Sequence, residues 1–254
     1  MIRVLIFAAT LCWSLLPSNL SAQETNSTDT EVASDQIDDF DDDFGEDFDE
    51  DDAPLPGDPL RGYNRLMFAF NDKAYYWVMK PVATGYGKVV PESARRAVHR
   101  CVVNLGFPVR FLNSALQLKL KAASVEFGRF AINTTIGIAG LFDPAAAHFG
   151  LAAPPREDLG QTLGHYGIGA GFPIVLPILG SSNLRDSLAM IPDWYVHPFS
   201  HLPPRNSTII EAWVAENYLS LNLGEYDLMK NSAIDAYTMF KDGYKQRREA
   251  AIRE

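Results

Sequence analysis

His197-Pro198-Phe199-Ser200-His201 sets two imidazoles four residues apart, with Asp193 four residues before the first. On a helix that spacing shares one face and resembles a metal-ligand set. Pro198 stands directly after the first histidine, where a zinc hydrolase carries its catalytic glutamate, and it opposes a continuous helix through the pair. The two read as structural or surface histidines, and no metal is expected. His165, in Leu163-Gly164-His165-Tyr166-Gly167, has the chemistry of a base. Its nucleophile would be Ser181 or Ser182, which follow Gly180 without a Gly-x-Ser-x-Gly elbow, so a hydrolase is the lesser reading. Gly164, Gly167, Gly169 and Gly171 are followed by Phe172-Pro173, where a dinucleotide fold needs a third glycine opening a helix. These glycines read as tight turns, and no cofactor is expected. Arg95, Arg96, His99 and Arg100 fit one helix face and have the chemistry to grip phosphates. In an exported protein those phosphates belong to lipid headgroups rather than nucleic acid; the alternative is a solvated helix face.

The elements that carry these groups are mostly helical. Asp58-Pro59 opens the first, with Tyr63, Leu66, Met67, Phe70, Ala74, Trp77 and Val78 on a stripe roughly 120° wide. Phe68, Tyr75, Tyr76 and Met79 fall outside that stripe and leave a thin polar face around Asn64, Arg65 and Asp72. A helix this apolar is buried in a large core, or has protein on one flank and lipid on another. Pro81 and Pro91 bracket a loop, and Ser93 to Asn104 follows as a helix with Ala94, Val98, Cys101 and Val102 facing inward. Leu112 to Leu120 and Ala123 to Ile132 are further helices, the latter with Val125, Phe127, Phe130 and Ile132 as its apolar set; Gly137, Gly140 and Asp143-Pro144 end it in a loop. Residues 150 to 183, rich in Gly and Pro, are expected to be irregular or hairpin-like. Thr208 to Asn222 and Ser232 to Arg248 complete a mostly α fold without internal repeats.

The 254 residues are 47% hydrophobic and 21% charged, which is enough to bury a core and excludes a chain disordered throughout. The net charge of −10 is unevenly distributed: residues 23 to 57 hold 15 of the 32 acidic side chains and no Lys or Arg, while residues 58 to 254 carry +4. That acidic stretch is read as a disordered linker, too poor in apolar residues to offset its ordering entropy. Within it Phe40, Phe44 and Phe48 recur every four residues, while the alternating Asp39, Asp41 and Asp43 miss the EF-hand pattern because Gly45 falls one place late. Residues 1 to 22 read as a cleavable signal peptide, with Arg3, an apolar run from Val4 to Leu16, and Ser21-Ala22 before Gln23. Cys12 lies inside the apolar run after Leu11, a poor place for lipid attachment, so an unlipidated mature protein is expected. Cys101 would then be its sole thiol, with no internal disulfide.

Several motifs, in order along about 190 residues, resemble the MlaA/VacJ outer-membrane proteins. They are Asp58-Pro59-Leu60-Arg61-Gly62-Tyr63-Asn64-Arg65, Met67-Phe68-Ala69-Phe70-Asn71, Pro81-Val82-Ala83, Val90-Pro91, Asn104-Leu105 and Arg129-Phe130-Ala131-Ile132-Asn133-Thr134. Glu157 to Gly167, Leu176-Pro177, Leu184-Arg185-Asp186, Ile234-Asp235-Ala236-Tyr237 and Gln246-Arg247-Arg248 complete the likeness. The resemblance implies a ring-like, amphipathic, membrane-embedded helical protein at residues 58 to 254, lying on the periplasmic side of the outer membrane beside a porin trimer. Its central channel would pass misplaced phospholipids from the outer leaflet to a soluble periplasmic carrier for return to the inner membrane, without enzymatic chemistry. The alternatives are a structural porin-associated envelope protein and the lipid-cleaving hydrolase.

Stripping two chains of about 16 carbons into water costs on the order of 25 kcal/mol, so a conduit must shelter the lipid throughout. Aromatic character selects Phe68, Phe70, Tyr76 and Trp77 for membrane contact. The family likeness points to Gly137, Gly140, Leu141 and Phe142 for the channel and its loop, and Arg95, Arg96 and Arg100 are the headgroup candidates. Family members typically carry an acylated cysteine after the signal. Here the embedded body must anchor itself, and seven stripe side chains at roughly 1.5 to 3 kcal/mol each supply about 10 to 20 kcal/mol.

Overall fold

Asn64, on the polar strip of the first helix, is wholly buried. The computed structural model describes residues 57–254; the signal segment, Cys12 and the acidic stretch up to residue 56, with its Asp and Phe repeats, lie outside the described residues. Helix α1 (Arg61–Ala74), a π-helical turn (Tyr75–Met79) and α2 (Lys80–Val89) follow one another without a break. The expected loop between Pro81 and Pro91 is therefore helix. Pro81 sits in the first turn of α2, where its missing N–H costs little, and the Lys80 N–H just before it reaches back to the Tyr75 carbonyl. Val90 takes an extended conformation before Pro91 and ends the run.

Beyond it come α3 (Glu92–Leu105), α4 (Phe107–Leu116), α5 (Leu120–Thr135) and α6 (Pro144–Phe149). The region expected to be irregular contains α7 (Leu159–His165), capped by the Asp158 carboxylate on the Gln161 N–H, and then a hairpin. Its strands β1 (Pro173–Leu176) and β2 (Gly180–Asn183) are antiparallel, in a register that sets Pro173 opposite Asn183 and Leu176 opposite Gly180. Helix α8 (Leu184–Val196) was not anticipated; Asn183 caps it by accepting the Asp186 N–H. A 3-10 turn (Pro198–His201), α9 (Pro204–Leu221), α10 (Glu225–Asn231) and α11 (Ala236–Arg253) complete the chain. Helix α4 packs on α5, α9 on α2 and α3, α7 on α8 and α11, and α1 on the hairpin. The fold is mostly α, and among the described residues no helix is long and apolar enough to cross a membrane.

Burial is inverted relative to a water-soluble domain. Among the described residues more polar than apolar side chains are buried, while Tyr63, Leu66, Phe70, Trp77, Val78, Val82 and Val89 stand exposed along α1 to α2. The strip around Asn64 and Asp72 faces protein instead. Asn64 donates to Asp58 (3.0 Å) and the Pro173 carbonyl (3.1 Å) and accepts the Val175 N–H (2.8 Å). Two turns on, Asn71 donates to the Leu176 carbonyl and accepts from Ile178, so one helix face straps the whole hairpin. Asp72 accepts from Tyr226 and Lys230, both at 2.8 Å. The same reversal corrects α3, where Ala94 is exposed and Arg95 is buried.

A polar interior carries ionisation costs. Asp193 accepts from the Asn113 amide (3.0 Å) and the Leu159 N–H (2.8 Å), yet burial, and then the nearby Asp158 charge, push its pKa up to about 7. A pKa raised by folding gives stability that is full below the unfolded value, near 3.8, and is lost as pH rises through about 7. Asp193→Asn is expected to flatten that decline. Urea midpoints measured between about pH 4 and 8 check it, and an unchanged slope in the variant contradicts it.

Candidate functional site

The loop after α5 turns left-handed at three successive residues, Ile138, Ala139 and Gly140, with φ of 53°, 56° and 89°. Isoleucine tolerates that region poorly, so the loop is held by its surroundings rather than by its own preference. The Ala139 N–H reaches the Thr134 carbonyl, Gly140 reaches Asn133, and Phe142 closes back on Gly137. Gly137 and Gly140 are both buried. A Cβ on Gly137 would lie 2.5 Å from the Asn133 carbonyl oxygen and 2.6 Å from that of Phe142. One on Gly140 would lie 2.5 Å from Cβ of Asn104.

Behind this loop lies a cavity of about 200 Å³, walled by α3, α4, α5, the loop itself and the extended segment before α7. Gly140 and Phe142 line it, and so do His99, Val103, Asn104, Phe130 and Asn133. Its charge comes from Arg100, Arg110, Arg129 and Arg156, set against Glu126 and Asp143. Arg110 grips Glu126 with two bonds, at 3.0 and 2.9 Å, and donates to the Val103 carbonyl. Arg129 bonds Asp143 (2.8 Å) and the Leu151 carbonyl. Both carboxylates are thereby engaged. Arg100 donates its Nε–H to the Leu141 carbonyl at 2.9 Å, which adds no negative charge. Burial, and then the neighbouring Arg110 charge, lower the Arg156 pKa. Burial, followed by Arg156 and Arg100, takes His99 down to about 4, so its imidazole is neutral at pH 7. The cavity thus presents more guanidinium than carboxylate charge in a partly desolvated space, with Val103, Phe130 and Phe142 as apolar wall. That arrangement suits a phosphate carried on an apolar body.

The residues singled out in the sequence are distributed as follows. Arg100 reaches the cavity. Arg95 is spent inside the protein on the carbonyls of Val90 and Ser220 and the Ser220 hydroxyl, and Arg96 pairs with Glu92 on the surface. Leu141 contributes its carbonyl to Arg100, and Gly137 supports the turn from behind. Phe70 and Trp77 are exposed, whereas Phe68 packs on Tyr237 and Phe240, and Tyr76 donates to Asp227 at 2.8 Å. His197 is buried, with burial and then Arg110 lowering its pKa to about 4, and His201 is exposed. Among the described residues no three His, Cys, Asp or Glu side chains group as a metal site. The Ser182 hydroxyl engages Ser187 and the Asn183 carbonyl, while His165 stacks edge-on against Tyr166.

Arg110, Arg156 and Glu126 were not anticipated, and Arg129 and Asn104 entered only as members of the resemblance motifs, without a role. A signal was present: Glu126, Arg129 and Asn133 recur at i, i+3 and i+7, a polar stripe as regular as the apolar set on the same helix.

A family model described as MlaA lipoprotein matches residues 56–251. The chain is 33% identical over 199 residues to the intermembrane phospholipid transport system lipoprotein MlaA of Escherichia coli, covering 76% of this chain and 77% of that one. Its counterpart of the same name in Haemophilus influenzae is 33% identical over 192 residues, 74% and 76% of the two chains. An uncharacterized protein of Rickettsia bellii is 36% identical over 199 residues, 77% and 76%. A solved structure described as "Structural basis for maintenance of bacterial outer membrane lipid asymmetry" superposes with a TM-score of 0.69 at 31% identity, over 78% of this chain and all of that one. In sequence and in fold alike, the chain belongs to the MlaA family.

Proposed function

We propose that this protein is a non-enzymatic conduit that removes mislocalised phospholipids from the outer leaflet of the outer membrane and delivers them to a soluble periplasmic carrier for return to the inner membrane. The observation that carries the reading is the burial pattern: among the described residues large apolar side chains stand exposed, buried side chains are more often polar than apolar, and a cavity in that polar interior is rich in guanidinium. An apolar skin is stable against lipid tails, and a polar interior is what a headgroup needs in order to leave them. The body would lie in the inner leaflet with Phe70, Trp77 and their neighbours in lipid. The space behind Gly140 and Phe142 would be part of a channel through a ring-like body. Residues 58–254 would form that body, carried out by the signal peptide and anchored without acylation beside a porin trimer. The names of the E. coli and H. influenzae relatives support the transport reading.

Deleting the gene is expected to raise outer-leaflet phosphatidylethanolamine, measured by a membrane-impermeant amine reagent on intact cells. Wild-type protein should restore the low level, and Arg156→Glu, which reverses charge in the cavity, should not. Unchanged labelling after deletion contradicts the reading. Recovery of all mature protein in the soluble periplasmic fraction contradicts the proposed anchoring.

A further inference from the structure

A second cavity, of about 140 Å³, lies between the π turn, the hairpin tip, α10 and α11, and shares no lining residue with the arginine-rich one. Its walls are mainly Phe68, Tyr75, Met79, Leu179, Met229 and Phe240. An apolar space near 150 Å³ admits a benzene-sized group, so this one accepts a stretch of a single hydrocarbon chain and not a pair.

Three features meet here. Tyr75 is 2% exposed, and its hydroxyl has no hydrogen-bond partner within the described residues; the Gly224 amide acts on it from outside bonding geometry. An orphaned buried hydroxyl is costly. Tyr75 opens the π turn, an irregularity concentrated at functional sites. Ile178, at the hairpin tip, is held at φ 67°, a conformation that β-branched residues avoid.

The lining also includes one cation and one anion, Arg247 and Glu225, both exposed. Neither forms an ion pair with a described residue; both act electrostatically on the Tyr218 phenol, and Arg247 donates to the Gly243 carbonyl of its own helix at 3.4 Å. A cation and an anion on one apolar pocket match a zwitterionic headgroup. We propose that this cavity holds one acyl chain of a zwitterionic phospholipid, with its phosphate at Arg247 and its ammonium at Glu225. Its ester carbonyl is an acceptor of the kind the Tyr75 hydroxyl lacks.

The test uses the full mature chain in a maltoside detergent and a lysophosphatidylethanolamine bearing a diazirine near the end of its chain. Adducts mapped by mass spectrometry are expected at Met79, Met229 or Phe240. Arg247→Glu, a surface change that leaves packing intact, should lower them about tenfold, the effect of losing one charge-assisted hydrogen bond. Met229→Trp, which fills the space, should do the same. Arg156→Glu, in the other cavity, should leave them unchanged. Equal labelling by the phosphatidylglycerol analogue, which lacks the ammonium, overturns the zwitterionic assignment. Scattered adducts indifferent to Arg247→Glu and Met229→Trp overturn the site. So do adducts that arise only after residues 23–56 are removed, since the pocket is then the seat of the arm's phenylalanines. No readout involves lipid movement, so the conduit reading can fail without affecting this one.

Discussion

Arg248→Ala is expected to destabilise the fold by about 3–5 kcal/mol, the largest effect of any single substitution considered. Arg248 is buried and bonds Asp158 through both terminal nitrogens, at 2.6 and 2.8 Å, and Asp186 through Nε, at 2.8 Å. Asp186 also accepts from Tyr244, Arg185 and Asn183, so one carboxylate ties α11 to the start of α8. Gly160 of α7 lies so close to this cluster that a Cβ would lie 2.6 Å from Nη2 of Arg248. Removing the guanidinium leaves the buried Asp158 carboxylate without a cation and Asp186 with Arg185 alone, which costs more than the pair contributes when intact. Arg248→Lys should rescue little, because an ammonium cannot make the forked contact. The neighbouring Arg247→Ala is exposed and should stay within about 0.5 kcal/mol of wild type.

The pH dependence separates this account from lost packing. Burial acts to raise the pKa values of Asp158 and Asp186, but Arg248, joined by hydrogen bonds from Gln161 to the first and from Arg185 and Tyr244 to the second, outweighs it and holds both below the usual carboxylate value. Depressed pKa values give stability that is present above the unfolded value and lost as pH falls through the folded one. In Arg248→Ala burial acts unopposed by that charge, so the deficit should be largest at neutral pH and shrink in acid. Urea unfolding in detergent at both pH values checks this. A deficit independent of pH contradicts it.

Gly140→Val should abolish transport while leaving the rest of the fold in place. Its φ of 89° is strained for any L side chain, and valine would also collide with Asn104, whose amide donates to the Thr134 hydroxyl at 2.9 Å. Strain and overpacking together cost about 2–4 kcal/mol, which the loop avoids by leaving its seat and surrendering the Arg100 bond to Leu141. Among the described residues the Arg248 cluster shares no hydrogen-bond partner with this loop, so helical circular dichroism should persist while outer-leaflet phospholipid rises to the deletion level. A bulky residue at Gly137 or Gly140 therefore displaces the loop rather than plugging an intact channel, and Arg156→Glu is the cleaner way to separate a conduit from a brace.

The helical composition and the places of α1, α3, α5, α9 and α11 were legible because 3.6-residue periodicity survives whichever side faces protein; α2, α6, α7, α8 and α10 were not, and α4 begins at Phe107 rather than at Leu112. Which side faces inward was not legible either. Periodicity reports two faces but not which of them is inward: Ala94 is exposed and Arg95 buried, and the polar Asn64 and Asn71 face the hairpin. The motifs Leu184-Arg185-Asp186 and Gln246-Arg247-Arg248 were visible as patterns. Their purpose, a buried charge cluster, depends on bringing together residues 62 positions apart, from Asp186 to Arg248. Pro81 misled because a π turn absorbs a proline that would break an ordinary α-helix. Arg156 gave no local sign, since its place in the cavity wall is set by an extended segment without periodicity.

The most direct test of a polar-cored conduit in a lipid leaflet is site-specific photo-crosslinking in intact cells, with a benzophenone side chain at position 103, 142 or 77 and mass analysis of the adducts. Positions 103 and 142 line the arginine-rich cavity, and position 77 lies on the outer apolar surface. Phospholipid adducts are expected at all three. Lipid at position 77 with none at 103 or 142 would leave a membrane-seated body through which nothing passes, and would contradict a conduit.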